Sequence, residues 1–248
     1  MRLDAPGDNL EIAIHALTDD LGIRARDESR RVDEIREENG GNLALHSRIV
    51  RAANRSAHHR PGSRPDKGMT VSVIRVPKRI ELHRHTDADG DVLTAGGVAA
   101  ALEIGARLQG GYTVAVSSGA QRATQTLACL LAGLGEQVTD GVVVEPELRS
   151  QVEDRWRAAY EKAGSGELAA LREADPELVA QDSRRLSAAL RRLLDNLPEG
   201  GSALVVGHSP TNEAAVFGLT GEAVPPLGKG AGVRVVVDAD GYRVKPLD

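Results

Sequence analysis

The sequence has only one cysteine, Cys129, among its 248 residues, which excludes a scaffold of disulfide bonds. It has no run that approaches the about 18 consecutive apolar residues of a membrane-spanning helix. Residues 1–8 contain no apolar core of a signal peptide. The net charge is only −5, so the chain has no electrostatic footprint for nucleic acid. We therefore expect a cytoplasmic protein with neither a membrane nor a nucleic-acid partner.

Aromatic residues make up only 2% of the chain, and residues 1–69 contain none. Charge is segregated in the same N-terminal segment: residues 1–40 carry 6 basic and 11 acidic side chains, whereas residues 41–69 carry 6 basic and 1 acidic. The segment ends in the breaker-rich Arg60-Pro61-Gly62-Ser63-Arg64-Pro65, which is typical of a linker. We expect an N-terminal extension over residues 1–69 and a separate domain over residues 70–248.

One helix is predicted within the extension. Asp8 and Glu11 form a capping box, and Gly22 can end the helix. The apolar residues between them follow helical spacing; they are Leu10, Ala13, Ile14, Leu17 and Leu21. This stripe suits docking on the rest of the chain or on a second copy, which leaves a homo-oligomer open. An alternative is that Met69 is the true initiator.

From Thr70 onward, apolar runs of strand length alternate with helical patterns, which is typical of an α/β fold. We expect three layers, with a mostly parallel sheet, helices on both faces and an antiparallel hairpin at the C-terminus. The predicted strands are residues 71–76, 80–83, 112–116, 142–144, 203–206, 233–237 and 242–244. The predicted helices are residues 94–108, 120–132, 151–162, 176–196 and 209–219, with Thr94 and Ser209 as N-caps.

Three predicted strands end in cationic or imidazole side chains. One ends in His83-Arg84-His85-Thr86, a second leads into a helix whose first turn carries Arg122, and a third runs into His208. The carboxyl ends of parallel strands meet at one edge of a sheet, so these side chains are expected to converge. An arginine in the first turn of a helix suits a bound anion such as phosphate. We expect His85 to be an exposed side chain at that edge.

These residues, in this order, resemble the histidine phosphatase superfamily, also called phosphoglycerate-mutase-like. Arg84-His85-Thr86 resembles its Arg-His-Gly motif, and Leu93-Thr94-Ala95-Gly96-Gly97 resembles its Leu-Thr-x-x-Gly helix start. The segment from Ser117 to Thr126 is similar to its Ser-Ser-x-x-x-Arg-Ala-x-Gln-Thr motif, and His208 matches its second histidine. The resemblance extends from about Ile80 to Leu219.

The resemblance implies a phosphomonoester hydrolase that acts through a phosphohistidine. In that reading, neutral His85 attacks phosphorus, Arg84 and Arg122 bind the phosphate oxygens, and a protonated His208 completes the site. The guanidinium groups suit this role because each can donate two parallel hydrogen bonds to phosphate oxygens. No metal and no other cofactor is expected, and the partner is a phosphorylated small molecule or protein.

Two departures from the family pattern affect the site. Thr86 stands where the family has glycine, so it either crowds the loop of the nucleophile or adds a hydroxyl donor to the phosphate. The Leu-x-Glu motif, whose glutamate is the usual general acid, falls on Leu148-Arg149-Ser150. We expect Glu153 to be the general acid instead. Glu147, Asp154 and Glu213 are the alternatives, and for each of the four a solvated surface position is the simpler interpretation.

Other functions remain open from the sequence. A mutase would return the phosphate to a phosphoglycerate, and a phosphate-binding module would keep the pocket without turnover. His83-x-His85-x-Asp87 resembles the opening of a metallohydrolase site, although Ala88 stands where a further histidine is needed. Residues 87–91 imitate the start of a Ca²⁺ loop, but Val92 stands at the position of its turn glycine and Val98 at that of its final glutamate, so we expect a solvated loop there.

The long stretch between Arg122 and His208 leaves room for a helical cap over the pocket, at about residues 145–176. We expect this cap to set substrate specificity. Its cations Arg149, Arg155 and Arg157 are candidates for meeting an anionic substrate.

Overall fold

The computed structural model describes residues 76–247. The expected boundary between residues 69 and 70, the N-terminal helix and all but the last residue of the predicted strand 71–76 lie outside this range. Within it, none of the helices is both long enough and apolar enough to cross a membrane.

The strands of this region form one large sheet and one small one. In chain order they are β1 (Lys78–Arg84), β2 (Ala88–Asp89), β3 (Val92–Leu93), β4 (Val114–Ser117), β5 (Val142–Val144), β6 (Ser202–Gly207), β7 (Gly232–Asp238) and β8 (Gly241–Leu247). The large sheet has the order β5-β4-β6-β1-β7-β8, and β2 pairs with β3. β1, β4, β5 and β6 are parallel, whereas β7 and β8 form an antiparallel hairpin at the edge.

Helices cover both faces of the large sheet. They are α1 (Ala95–Arg107), α2 (Gln121–Leu134), α3 (Glu153–Ala163), α4 (Leu168–Ala174), α5 (Pro176–Asn196) and α6 (Thr211–Thr220), with a 3₁₀ turn at Pro146–Leu148. Leu127 of α2 packs with Leu204 on one face. Leu186 of α5 packs with Leu82 on the other face, in the larger core that also includes α3, α4 and α6. The expected three-layer α/β/α fold is confirmed.

Local sequence signals located most elements, and for two of them the predicted bounds agree with the observed ones. β5 and α5 have the predicted limits, and the Thr94 hydroxyl caps α1 by accepting a hydrogen bond from Gly97 N at 3.0 Å. Two expectations were wrong and one helix was missed. The predicted loop over residues 87–91 contains part of the β2–β3 hairpin, α4 was not predicted, and α6 begins at Thr211 without Ser209 as its cap.

Candidate active site

The two histidines follow neighbouring parallel strands at the same edge of the sheet. Arg84, the last residue of β1, is in register with Gly207, the last residue of β6. His85 and His208 directly follow these two residues. Their ring centroids lie 5.2 Å apart at an interplanar angle of 60°. The structure therefore brings the two predicted histidines together. His85 is only 9% exposed, so the expectation of an exposed side chain was wrong.

The hydrogen bonds of His85 assign its tautomer. Nδ1 lies 2.7 Å from the carbonyl oxygen of Thr86, which can only accept, so Nδ1 carries the proton. In the neutral ring Nε2 then keeps its lone pair, and that lone pair accepts a hydrogen bond from Nε of Arg122 at 3.2 Å. His85 thus presents an unprotonated nitrogen to a guanidinium group.

The charge state of both imidazoles follows from their surroundings. Burial lowers the pKa of His85, and the positive charges of Arg122, Arg84 and Lys229 lower it further against the opposing bond to Thr86. Burial and the charge of Arg122 lower the pKa of His208 to about 3. Both rings are therefore neutral at pH 7 in the protein without a bound anion. The protonated His208 expected from the sequence requires a negative charge beside it.

Arg122 lies in the first turn of α2, as predicted, and is held there by Asp91. Its Nη1 donates to Asp91 Oδ1 at 2.8 Å, and the same carboxylate accepts from the backbone N–H of Gln121 at 3.2 Å. Asp91 lies just before β3 and supplies the negative charge that α2 lacks in its own first turn. The guanidinium group is thus fixed in orientation, with its Nε on His85.

Arg84 is the second predicted phosphate ligand. Its Nη1 donates to the carbonyl of Leu227 at 2.7 Å, in the segment between α6 and β7. Its Nε is buried and has no hydrogen-bond partner among the described residues. A buried donor without a partner costs free energy, and the role of Arg84 as a phosphate ligand stays a prediction.

Thr86 is buried rather than open to the pocket. Its hydroxyl lies 3.3 Å from Oγ1 of Thr126, and its backbone N–H donates to that same oxygen at 3.1 Å. Its methyl group lies against Gly230, where an added Cβ would come within 3.3 Å of it. The threonine therefore packs the loop of His85, and its role as a phosphate donor stays a prediction.

His208 is braced by two residues that the sequence analysis missed. Its Nε2 lies 2.8 Å from Oγ of Ser118, at the end of β4. Its backbone N–H donates to Oδ1 of Asn212 at 3.2 Å, while Nδ2 of Asn212 donates to the carbonyl of His83 at 3.0 Å. Asn212 thus ties the ends of β6 and β1 together. A Cβ at Gly207 would lie 2.3 Å from Oδ1 of Asn212, which explains the glycine before His208.

The four candidate acids have different surroundings. Glu153 forms a two-point ion pair with Arg149, at 2.5 and 3.2 Å, which lowers the pKa of its carboxyl. Glu147 pairs with Arg192, and Asp154 is almost fully exposed beside Arg157. Glu213 is only 1% exposed, so the interpretation as a solvated side chain was wrong for this residue.

Arg149 is the cap cation whose charge acts on the site. Its positive charge contributes to the low pKa of His208. The charge of Arg122 in turn helps to lower the pKa of the Glu153 carboxyl. Arg155 instead pairs with Asp175 at 2.8 Å, and Arg157 is paired with Asp154 at 3.2 Å. An open depression of about 490 Å³ is lined by residues 149–155. The ion pair of Arg149 with Glu153 therefore lies in the lining of this depression.

The metal-site alternative can be compared with the side-chain contacts. His83 is buried with Nδ1 3.1 Å from the carbonyl of Gly230, and Asp87 pairs with Lys229 and accepts from Thr94. These two side chains therefore have separate protein partners. Across residues 76–247, no group of three or more histidine, cysteine, aspartate or glutamate side chains is placed to hold a metal ion.

Comparison with known sequences agrees with this geometry. The family described as the histidine phosphatase superfamily (branch 1) matches residues 75–229. The chain belongs to this superfamily. Members of the histidine phosphatase superfamily are phosphatases or mutases, and the matched segment contains His85, Arg122 and His208. No curated protein matches the chain.

Solved structures share the fold of this member of the histidine phosphatase superfamily. A phosphoglycerate mutase from Bacillus anthracis str. Sterne matches with a TM-score of 0.54 and 20% identity, covering 70% of this chain and 93% of that one. YhfR of Bacillus stearothermophilus has a TM-score of 0.54 and 16% identity, covering 68% and 96%. Phosphoserine phosphatase from Entamoeba histolytica, in complex with 3-phosphoglyceric acid, has a TM-score of 0.53 and 16% identity, covering 69% and 97%. These likenesses show a common architecture.

Proposed function

We propose that this protein is a phosphatase that hydrolyses a phosphomonoester through a phosphohistidine on His85. The observation that carries the proposal is the orientation of His85. Its protonated Nδ1 is held by the Thr86 carbonyl, so the lone pair of Nε2 faces the guanidinium group of Arg122. A neutral nucleophile beside fixed cations is what attack on a phosphate dianion requires.

In the first step, Nε2 of His85 attacks phosphorus in line with the leaving oxygen. The Nε2–P bond forms while the P–O ester bond breaks. Charge spreads over the three equatorial oxygens, which Arg122 and the free Nε–H of Arg84 stabilise. The bound phosphate favours the protonated form of His208, which then donates to a phosphate oxygen.

In the second step, water attacks phosphorus and the Nε2–P bond breaks, which restores His85 and releases inorganic phosphate. The two steps balance without a cofactor, and we propose that the reaction proceeds without a metal. The support for hydrolysis over mutase activity is the replacement of the Leu-x-Glu motif by Leu148-Arg149-Ser150. The proposed substrate is a phosphorylated small molecule or protein.

The test is rapid quenching of the full-length protein after mixing with ³²P-labelled aryl phosphate. We expect acid-labile, alkali-stable label on the wild type and none on His85→Ala, together with the loss of phosphate release. His58→Ala in the N-terminal segment is the matched control and should behave as wild type. A folded His85→Ala protein with full activity would falsify the proposal. Transfer of the label to added phosphoglycerate instead of water would show a mutase.

A further inference from the structure

The carboxyl group of Glu213 is buried close to the proposed phosphate site. Glu213 lies in the first turn of α6 and is 1% exposed. Its Oε1 is 2.6 Å from the hydroxyl of Ser209 and accepts from the backbone N–H of Leu227 at 2.7 Å. Its Oε2 is buried and has no hydrogen-bond partner among residues 76–247. A buried carboxylate with one bare oxygen is costly, which favours the neutral acid.

The hydrogen bonds suit a proton on Oε1. A protonated Oε1 can donate to Ser209 and still accept from Leu227, and Oε2 is then an uncharged carbonyl oxygen, which costs less to leave unpaired. Burial raises the pKa of Glu213, although the bonds to Leu227 and Ser209 and the charge of Arg84 act in the opposite direction. Glu213 is thus a store for one proton in the interior.

Two contacts connect this store to the proposed site. Leu227 accepts from Arg84 through its carbonyl and donates to Glu213 through its N–H, so the carboxyl group and the phosphate-binding arginine hold the same peptide segment. Ser209 directly follows His208 at the carboxyl end of β6, and it is partly exposed. The hydroxyl that contacts the buried acid therefore belongs to the residue next to His208.

We propose that Ser209 and Glu213 form a proton relay that protonates the leaving group, in place of the glutamate that the Leu-x-Glu motif lacks here. The inference rests on the proposed phosphatase function. As the P–O ester bond breaks and the Nε2–P bond forms, the leaving oxygen takes the Ser209 hydroxyl proton, and Oγ takes the proton of Glu213. Glu213 becomes a carboxylate. When water attacks the phosphohistidine, its proton returns through Ser209 to Glu213.

The test compares leaving groups in the full-length protein. p-Nitrophenol leaves without protonation, whereas phenol, a much weaker acid, needs a proton as it departs. We expect Glu213→Gln to lower kcat for phenyl phosphate by about 10²-fold and kcat for p-nitrophenyl phosphate by less than about threefold. Glutamine keeps an acceptor for Leu227 and Ser209 but has no acidic proton. The loss of activity at alkaline pH that comes from ionisation of Glu213 should also disappear in this variant.

Ser209→Ala gives a second measurement that does not depend on the folding of Glu213→Gln, and it should show the same selective loss. Glu161→Gln on the exposed side of α3 is the matched control and should keep the wild-type ratio. Equal losses for both phosphates, or no loss, overturn the relay. A selective loss in Glu153→Gln instead would assign the acid to Glu153 and also overturn it. A wild type without aryl phosphatase activity and without phosphohistidine would defeat the proposed function itself.

Discussion

Arg122 donates through Nε to Nε2 of His85 over 3.2 Å, so the arginine occupies the lone pair that is proposed to attack phosphorus. The contact keeps the imidazole neutral and correctly turned before substrate arrives. It must also be broken as phosphate enters, because one lone pair cannot accept from Arg122 and bond to phosphorus together. In the proposed mechanism, the guanidinium then transfers its hydrogen bonds to the phosphate oxygens. Arg122 would thus orient the nucleophile first and the phosphoryl group afterwards.

Replacement of Arg122 by lysine tests this double role. Lysine keeps the positive charge but loses the planar pair of donors that binds His85 and Asp91 together. We expect kcat/KM for p-nitrophenyl phosphate to fall by about 10²-fold or more, as for loss of one donor to a transition-state oxyanion. Arg107→Lys, at an exposed ion pair with Glu103, is the matched control. Unchanged kinetics in Arg122→Lys would contradict the assignment.

Asn212 is predicted to be both structural and functional. Removing its side chain in Asn212→Ala leaves the His208 N–H and the His83 carbonyl without their buried partner. The free energy of unfolding should fall by about 1–3 kcal/mol, and kcat should fall because His208 loses its brace. Urea denaturation and steady-state kinetics measure the two effects. Asn196→Ala, at the exposed end of α5, serves as the control, and equal denaturation midpoints for the two variants would refute the prediction.

The low pKa of His208 predicts how stability depends on pH. Burial holds the folded pKa at about 3, whereas the unfolded value is near 6.5, so between these values the unfolded chain binds the proton and the folded protein does not. The stability therefore falls as the pH falls below about 6.5. At pH 5 this effect of His208 lowers the free energy of unfolding by on the order of 1–2 kcal/mol. Between pH 7 and pH 5, the free energy of unfolding measured by urea denaturation should fall less in His208→Gln than in the wild type. An equal fall in the two proteins would contradict this prediction.

A protein that begins at Met69 should fold and keep its catalytic activity. The family match starts at residue 75 and β1 at Lys78, so the elements that position His85, Arg122 and His208 all follow Met69. Removal of the apolar stripe of the predicted N-terminal helix should change the melting temperature or the oligomeric state more than it changes kcat. Calorimetry, light scattering and the aryl phosphate assay measure these quantities. A folded but inactive product would place part of the active site in residues 1–68.

The sequence predicted the parts of the site that depend on local signals. Short apolar runs located the strands, and the residues after β1 and β6 gave His85 and His208 because strand ends meet at one edge. The partner of Glu213 could not be found in this way. Its carboxyl accepts from the backbone N–H of Leu227, which lies 14 residues away along the chain and approaches only when the segment before β7 folds back. The pattern of apolar residues along α6 does not predict that contact.

The pairing of β1 with β6 fixes more than the order of the strands. Backbone hydrogen bonds hold neighbouring strands at about 4.8 Å, and His85 N donates to the carbonyl of Gly207 at 3.0 Å, directly before His208. The separation of the two imidazoles is therefore set by main-chain geometry, which no side chain of the cap controls. A change around Arg149 can therefore act on His208 through its charge without moving the strands that carry the two histidines.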